Sequence, residues 1–384
     1  MKASVWLSRI TVAIFSLLLL GLGILTLCLP KNEYSEAENR YLATLPTPTA
    51  EAILSGRYMK QVEEFASDHV PYRSLLLEGK CAGERLLFRT ENNHVLFGKE
   101  GYLIKRLEWQ DTPTFRENLS GALEIERLLE ENGIPTTFVC APRAIDVLGA
   151  YLPEHYPKTP FTEVATYLAQ NAPTALFPAS LLEERATGGE EVFFRTDHHW
   201  TPLGAYYIYE ALGERIGYTP LPLSDFYVEV ASESFVGTSA SAAMTGRVIP
   251  DRILRYRYKG DGALTVTDVS TGEVKMGLYR DEFLSQKDKY ASFLGGNFAH
   301  LRITDGDDRP RLLIIKDSYA NCLVPFLARH YDIELVDLRY VREDAPAFLS
   351  ALLTSEKFDR ALLLFNVQSL SEGVGLASFA RNIP

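Results

Sequence analysis

The sequence predicts an α/β fold, a parallel sheet flanked by helices, standing behind an N-terminal transmembrane helix and interrupted by a β-rich insertion. Three observations predict it. Short buried runs (Pro135–Cys140, Arg311–Ile315, Ile333–Asp337, Ala361–Phe365) alternate with helical segments, the pattern of strands covered on both faces. No charged residue falls between Ile10 and Pro30, a run about long enough to cross a ~30 Å hydrocarbon core. Residues 225–305 are instead rich in Val, Thr and Tyr, which favour strands.

Lys2 and Arg9 precede the apolar run, and Glu33, Glu36 and Glu38 follow it. The positive-inside rule then puts the N-terminus in the cytoplasm and everything after about residue 30 outside it. A cleaved signal peptide competes with this reading. The run is longer than an h-region, however, and no small-x-small site closes it, so an uncleaved single-pass anchor is the expectation. Residues 31–105 read as a linker with Pro46 and Pro48, helices through Ala50–Leu54, Tyr58–Glu64 and Arg73–Leu87, and a hairpin over Val95–Lys105 turning at Gly98–Gly101.

Residues 106–384 read as the α/β domain itself. Thr114–Asn132 has helical apolar spacing and Gly133 just past its end. Arg143–Leu152 and Phe161–Asn171 look helical. Thr201–Gly217 is a helix with Thr201 as N-cap and Pro202 in the first turn. A helix over Tyr319–His330 follows the strand Arg311–Ile315, and another over Pro346–Thr354 precedes Ala361–Phe365.

The net charge of −11 with scattered basic residues offers no track for a phosphate backbone, which argues against nucleic acid as a partner. Four cysteines without a C-x-x-C pair make neither a disulfide framework nor a zinc knuckle.

Two segments carry chemistry. In Arg195–Pro202 (RTDHHWTP), an extended backbone would put Asp197 and His199 on one side and turn His198 away. A carboxylate beside an imidazole fixes its tautomer and stabilises the imidazolium, as an acid/base histidine requires. The same residues also suit a metal site built on Asp197, His198 and His199, or a capping cluster. In Ile315–Tyr319 (IKDSY), Ser318 lies where a buried strand gives way to a helix. Ligands bind at that end of open α/β sheets, and helix N–H groups there can hold an oxyanion. Simple capping by Asp317 or Ser318 is the alternative.

Thr196–Tyr206 (TDHHWTPLGAY) resembles the signature of the bacterial DHHW protein family, itself similar to periplasmic alginate O-acetylation proteins with an SGNH-hydrolase-like fold. Glu38-Asn39-Arg40, Gly56, Asp68–Arg73, Lys289-Tyr290, Gly295-Gly296-Asn297, Lys316–Asn321 and Val336–Tyr340 look like further blocks of that family. The resemblance implies a triad of Ser318, His199 and Asp197. It departs from the usual SGNH pattern at Lys316, which stands in place of a glycine, and in placing D-x-H before the serine. It further implies an extracytoplasmic acetyltransferase or acetylesterase on a cell-surface polysaccharide, with an acetyl-Ser intermediate, no cofactor, and a membrane-bound O-acyltransferase as donor-side partner.

The readings set beside it are a non-catalytic polysaccharide-binding or export accessory and a metal-dependent hydrolase. Candidate oxyanion or substrate residues are Tyr319, Asn366, Asn297, Trp200, Arg339 and Tyr340, with Arg143 after the Pro135–Cys140 strand. Tyr206 and Tyr209 share a helix face and read as core.

Overall fold

The computed structural model describes residues 2–106, 109–156, 162–306 and 308–380. It divides into two compact units, Met1–Asn93 with Ser241–Arg247, and His94–Ala240 with Val248–Pro384.

The first unit begins with the helix Lys2–Cys28, of which Trp6–Cys28 is long and apolar enough to cross a membrane. Most of its apolar side chains are exposed, Leu17 at 69%. This is the make-up of a membrane anchor or a signal sequence. Helices Ala50–Leu54, Arg57–Asp68 and Arg73–Leu86 follow. Two of the sequence blocks singled out above meet here. Arg40 reaches both Glu38 and Asp68, and Arg73 holds Glu38 at 2.9 Å. The Arg40 hydrogen bond holds the Asp68 carboxyl down at about 2. These residues knot the segment after the apolar helix onto the helices.

The second unit is built on a seven-stranded sheet: β1 (Thr136–Ala141), β2 (Thr265–Asp268), β3 (Val274–Met276), β4 (His300–Thr304), β5 (Arg311–Lys316), β6 (Asp332–Val336) and β7 (Arg360–Asn366), in the order β3-β2-β4-β6-β5-β7-β1. Strands β6, β5, β7 and β1 pair in parallel; β4, β2 and β3 extend the sheet antiparallel.

Both faces of the parallel part are buried, as its continuous apolar runs require. Phe138, Cys140, Leu313, Ile315, Leu363 and Phe365 point to one face. There they meet Phe115, Leu119, Ala122, Ile125 and Leu129, the inner stripe of the helix Pro113–Glu131. Val139, Leu312, Ile314, Leu362 and Leu364 point to the other face, with Ile208 and Leu212 of the helix Pro202–Ile216. Thr201 caps that helix by accepting from the Gly204 N–H, and Gly217 ends it at φ 91°. Tyr206 and Tyr209 lie in this core.

Three expectations are corrected. The β-rich stretch is only partly an insertion: Tyr227–Phe235 and Asp251–Arg257 form a separate ribbon, whereas β2, β3 and β4 belong to the main sheet. The helix expected over Tyr319–His330 is instead a 3₁₀ turn, Ser318–Cys322, followed by one helical turn, Val324–Leu327. Pro325 fits this break: it has no N–H to bond back to Asn321, and it takes the first turn of the second helix, where none is needed. Arg143–Leu152 likewise splits into Ala144–Val147 and a 3₁₀ turn, Gly149–Tyr151. Phe161 lies outside the described residues; the helix there is Thr162–Asn171. A helix over Ala179–Thr187 was not foreseen.

Candidate active site

Four parallel strands end on one side of the sheet, and the residues just past them carry the polar chemistry: Arg143 after β1, Ser318 after β5, Asp337 after β6, and Asn366 closing β7. Asp317 organises the floor. It is fully buried and accepts from the Tyr319 N–H at 2.9 Å and the Asn366 N–H at 2.7 Å. The chain after β5 therefore turns at once, and Ser318 stands part-exposed at the bend.

Above it lies the D-H-H turn. His199 Nδ1 is 2.6 Å from Asp197 Oδ1, and His199 Nε2 is 2.8 Å from Ser318 Oγ. A carboxylate can only accept, so Nδ1 carries the proton and Nε2 is left to accept from the serine hydroxyl. The reason for this pairing differs from the one expected. The segment bends rather than extends, and the Asp197 carboxylate also accepts from the His199 backbone N–H at 3.0 Å. His198 does not face away either: the two imidazole centroids are 3.9 Å apart. Burial pushes the His199 imidazole down to about 4, keeping it neutral. Burial also opposes ionisation of Asp197, but His198 and His199 outweigh it and hold the carboxyl well below its usual range.

The sequence reading missed three residues that hold this turn in place. Thr238 donates to Asp197 Oδ2 through its backbone N–H (2.8 Å) and its hydroxyl (2.9 Å), and its oxygen lies 2.7 Å from His198 Nδ1. Asp251, buried on the ribbon, receives the backbone N–H groups of Arg195 (2.7 Å) and Thr196 (2.8 Å). Tyr290 stacks on the His199 ring at 3.9 Å and 8°, and donates its hydroxyl to the Ser318 carbonyl at 2.9 Å. The Lys289-Tyr290 block was the only signal for any of them.

Gly237 packs directly against this carboxylate. A Cβ there would lie 2.4 Å from Asp197 Oδ2. Gly237→Ala is expected to displace the carboxylate and lower catalytic efficiency about 100-fold, the usual effect of a ~1 Å misplacement. The added methyl should cost about 1–3 kcal/mol of stability. Ester-hydrolysis kinetics and thermal melts read both effects, and an unchanged kcat/KM would show that the carboxylate position is not critical.

The remaining candidates divide. Asn366 is spent on structure: its Nδ2 donates to the Ala141 and Pro142 carbonyls and its Oδ1 caps the next helix. Trp200 is fully buried, with its indole N–H on the Tyr319 carbonyl, so it is core rather than a substrate platform. Tyr319 is buried and donates to the His198 carbonyl, and its N–H, expected in an oxyanion site, is taken by Asp317. Arg143 is buried and paired with Asp146. Arg339 grips Asp337 at 2.8 and 2.6 Å, and Tyr340 is half exposed under its guanidinium. Asn297, in contrast, joins the Ser318 turn through Lys316 and Asn321.

Asp197, His198 and His199 do offer three ligand atoms within 4.8 Å of one another. Three of the ring nitrogens have protein partners: Nδ1 of His199 faces Asp197, its Nε2 faces Ser318, and Nδ1 of His198 faces Thr238. A tetrahedral ion would need a fourth donor, and ligation by His199 would displace either its Asp197 or its Ser318 bond.

Residues 180–336 match the family model described as DHHW protein, and residues 95–257 match that of an SGNH hydrolase-like domain, acetyltransferase AlgX. The chain is DHHW-like and SGNH hydrolase-like. A DHHW family protein from Eubacterium siraeum superposes on the DHHW-like chain with TM-score 0.61 at 25% identity, over 76% of this chain and 97% of the other. PatB1 of Bacillus cereus, solved with a sulfonyl adduct, superposes with TM-score 0.57 at 20% identity, over 72% and 97%, and shows likeness of fold. A probable alginate O-acetylase AlgJ from Pseudomonas fluorescens is 26% identical over 226 residues, 55% of this chain. The chain's match spans about half the length of that relative (52%).

Proposed function

We propose that the protein is an extracytoplasmic, membrane-anchored serine O-acyltransferase or esterase that moves acetyl groups on or off a cell-surface polysaccharide. The observation that carries this reading is the Asp197–His199–Ser318 line, with 2.6 and 2.8 Å contacts at the carboxyl ends of parallel strands. The similarity to acetyltransferase domains and to a probable alginate O-acetylase supports the acyl group and the class of acceptor.

In the first half-reaction His199 Nε2 takes the Ser318 hydroxyl proton as Oγ attacks the acetyl carbonyl. The bond from the acetyl carbon to the donor breaks, and the donor's leaving oxygen or sulfur takes the proton from Nε2. In the second, a sugar hydroxyl or water gives its proton to Nε2 and attacks the acetyl-serine, and Ser318 regains its proton. Asp197 stabilises the imidazolium in both halves. The Ser318 N–H and the Asn297 amide are the donors assigned to the oxyanion. An N-terminus in the cytoplasm agrees with Lys2 and Arg9 before the apolar helix. Acetyl groups would then come from a partner on the membrane, an O-acyltransferase that takes them from the cytoplasm.

The test is labelling of the intact protein with a fluorophosphonate probe, followed by peptide mapping. One adduct on Ser318 is expected, together with turnover of a chromogenic acetyl ester. A folded protein that neither labels nor turns over would overturn the serine mechanism. The pH profile gives a second check. With His199 near 4, the base form persists through mildly acidic solution, and activity falls only as pH drops through about 4. An acid limb of kcat/KM near 6.5, where an exposed histidine titrates, would contradict the buried neutral base.

A further inference from the structure

Lys316 is fully buried two residues before the nucleophile, and the mechanism above gives it no part. Its Nζ lies 2.8 Å from Asn297 Oδ1, 2.8 Å from Asn321 Oδ1 and 3.5 Å from Asp337 Oδ2. An ammonium only donates, so both asparagine oxygens must face it. The Asn297 amide N–H₂ is thereby turned away from the lysine. Asn321 completes the knot by donating to Asn297 Oδ1 at 3.2 Å and to the Gly296 carbonyl at 3.3 Å.

Asn297 closes a loop that needs holding. Leu294, Gly295 and Gly296 have φ of 64°, 91° and 101°, three successive left-handed residues. For Leu294 that conformation is strained and persists only where its surroundings over-determine it. The other end of the same loop carries Tyr290, stacked on His199 and bonded to the Ser318 carbonyl. The loop thus touches base and nucleophile at one end and Lys316 at the other.

We propose that Lys316 is a positioning residue: its ammonium latches the 288–297 loop onto the Ser318 turn, setting the Tyr290 stack on His199 and the orientation of the Asn297 amide. This deepens the serine reading and rests on it. It also gives a physical use to the lysine that replaces the glycine of the resembling pattern. The charged groups facing Lys316 are Asp337 and Arg339 past β6 and Asp317 beside it in sequence. Burial lowers the ammonium to about 8, with Asp337 opposing that shift, so the latch weakens above about pH 8.

The experiment measures the rate at which a fluorophosphonate probe labels the full chain, as a function of pH. Wild-type labelling at Ser318 establishes the underlying reading on its own; if it is absent, that reading fails and not the latch. Lys316→Met keeps volume and removes the charge, and Lys316→Met with Asp337→Asn keeps the site neutral if the single variant folds poorly. Asn297→Ala attacks the latch from the loop side and leaves the buried pair intact. Labelling is expected to fall at least ~30-fold in each, with the alkaline limb near pH 8 lost in the Lys316 variants. The Lys316→Met/Asn297→Ala double variant should be no slower than the slower single variant, because groups acting as one unit are non-additive. Wild-type labelling rates, a retained alkaline limb, or additive losses would each overturn the proposal, leaving Lys316 a structural residue only.

Discussion

Ser318→Ala is expected to reduce kcat/KM for an acetyl ester by on the order of 10⁴–10⁶, the loss seen when a serine nucleophile is removed from a triad that acts as a unit. The folded state should barely notice. Ser318 is part-exposed, and its hydroxyl makes one hydrogen bond, to His199 Nε2. The bonds that shape the turn come from its neighbours: Asp317 to Tyr319 and Asn366, and Tyr290 to the Ser318 carbonyl, which alanine retains. Melting temperature within a few degrees of wild type, together with complete loss of acyl transfer and of probe labelling, is therefore the signature of a nucleophile. Activity surviving in Ser318→Ala would move the chemistry to another group. The Asp197, His198 and His199 cluster would then be tested with chelator and added zinc, since it is the group among the described residues whose donors lie close enough to share an ion.

Much of this site was legible because its parts obey local rules. A buried run that stops at Lys316-Asp317-Ser318 announces a strand end, and strand ends in such sheets are where ligands bind. Thr201-Pro202 announces a helix start, so the D-H-H segment had to be the loop before it. What the sequence concealed is non-local. Thr238 and Asp251 reach the D-H-H turn across 41 and 55 residues of chain, and no spacing rule connects them to it. Asn366 was misassigned for the opposite reason: an asparagine after a strand can serve a substrate or a cap, and its contacts with Ala141 and Pro142 decide for the cap. Trp200 failed as a substrate platform because its whole ring is enclosed by core residues, a fact of packing that an aromatic beside a motif does not reveal. The sheet misled in a similar way. Strands β2 to β4 pair antiparallel with one another and with β6, so their Val/Thr-rich segments looked foreign to a parallel core.

Asp197→Asn should lower kcat by about 10³–10⁴ with little change in KM, because the carboxylate acts on the imidazolium that forms only during the reaction. The local geometry makes the effect hard to escape. Asp197 receives four donors, the His199 N–H and Nδ1–H on Oδ1 and the Thr238 N–H and hydroxyl on Oδ2. An amide accepts at one oxygen only. If its NH₂ faces His199, a backbone N–H loses its acceptor and the imidazole is driven to the tautomer with a proton on Nε2, which cannot take one from Ser318. If the NH₂ faces Thr238, the threonine hydroxyl can turn to accept it, but the Thr238 N–H is left unpaired and the negative charge is gone. Each orientation leaves a buried donor unsatisfied, which costs about 1–3 kcal/mol of stability. A fall in melting temperature should therefore accompany the loss of turnover. The two orientations separate in a Thr238→Val background. There the second loses its compensating acceptor and the first becomes the preferred one, so Asp197→Asn should be more damaging there than in the wild-type chain. A variant that keeps near wild-type kcat would mean that the Tyr290 stack, rather than the carboxylate, holds His199 in its working orientation, and Tyr290→Leu would then become the disabling change.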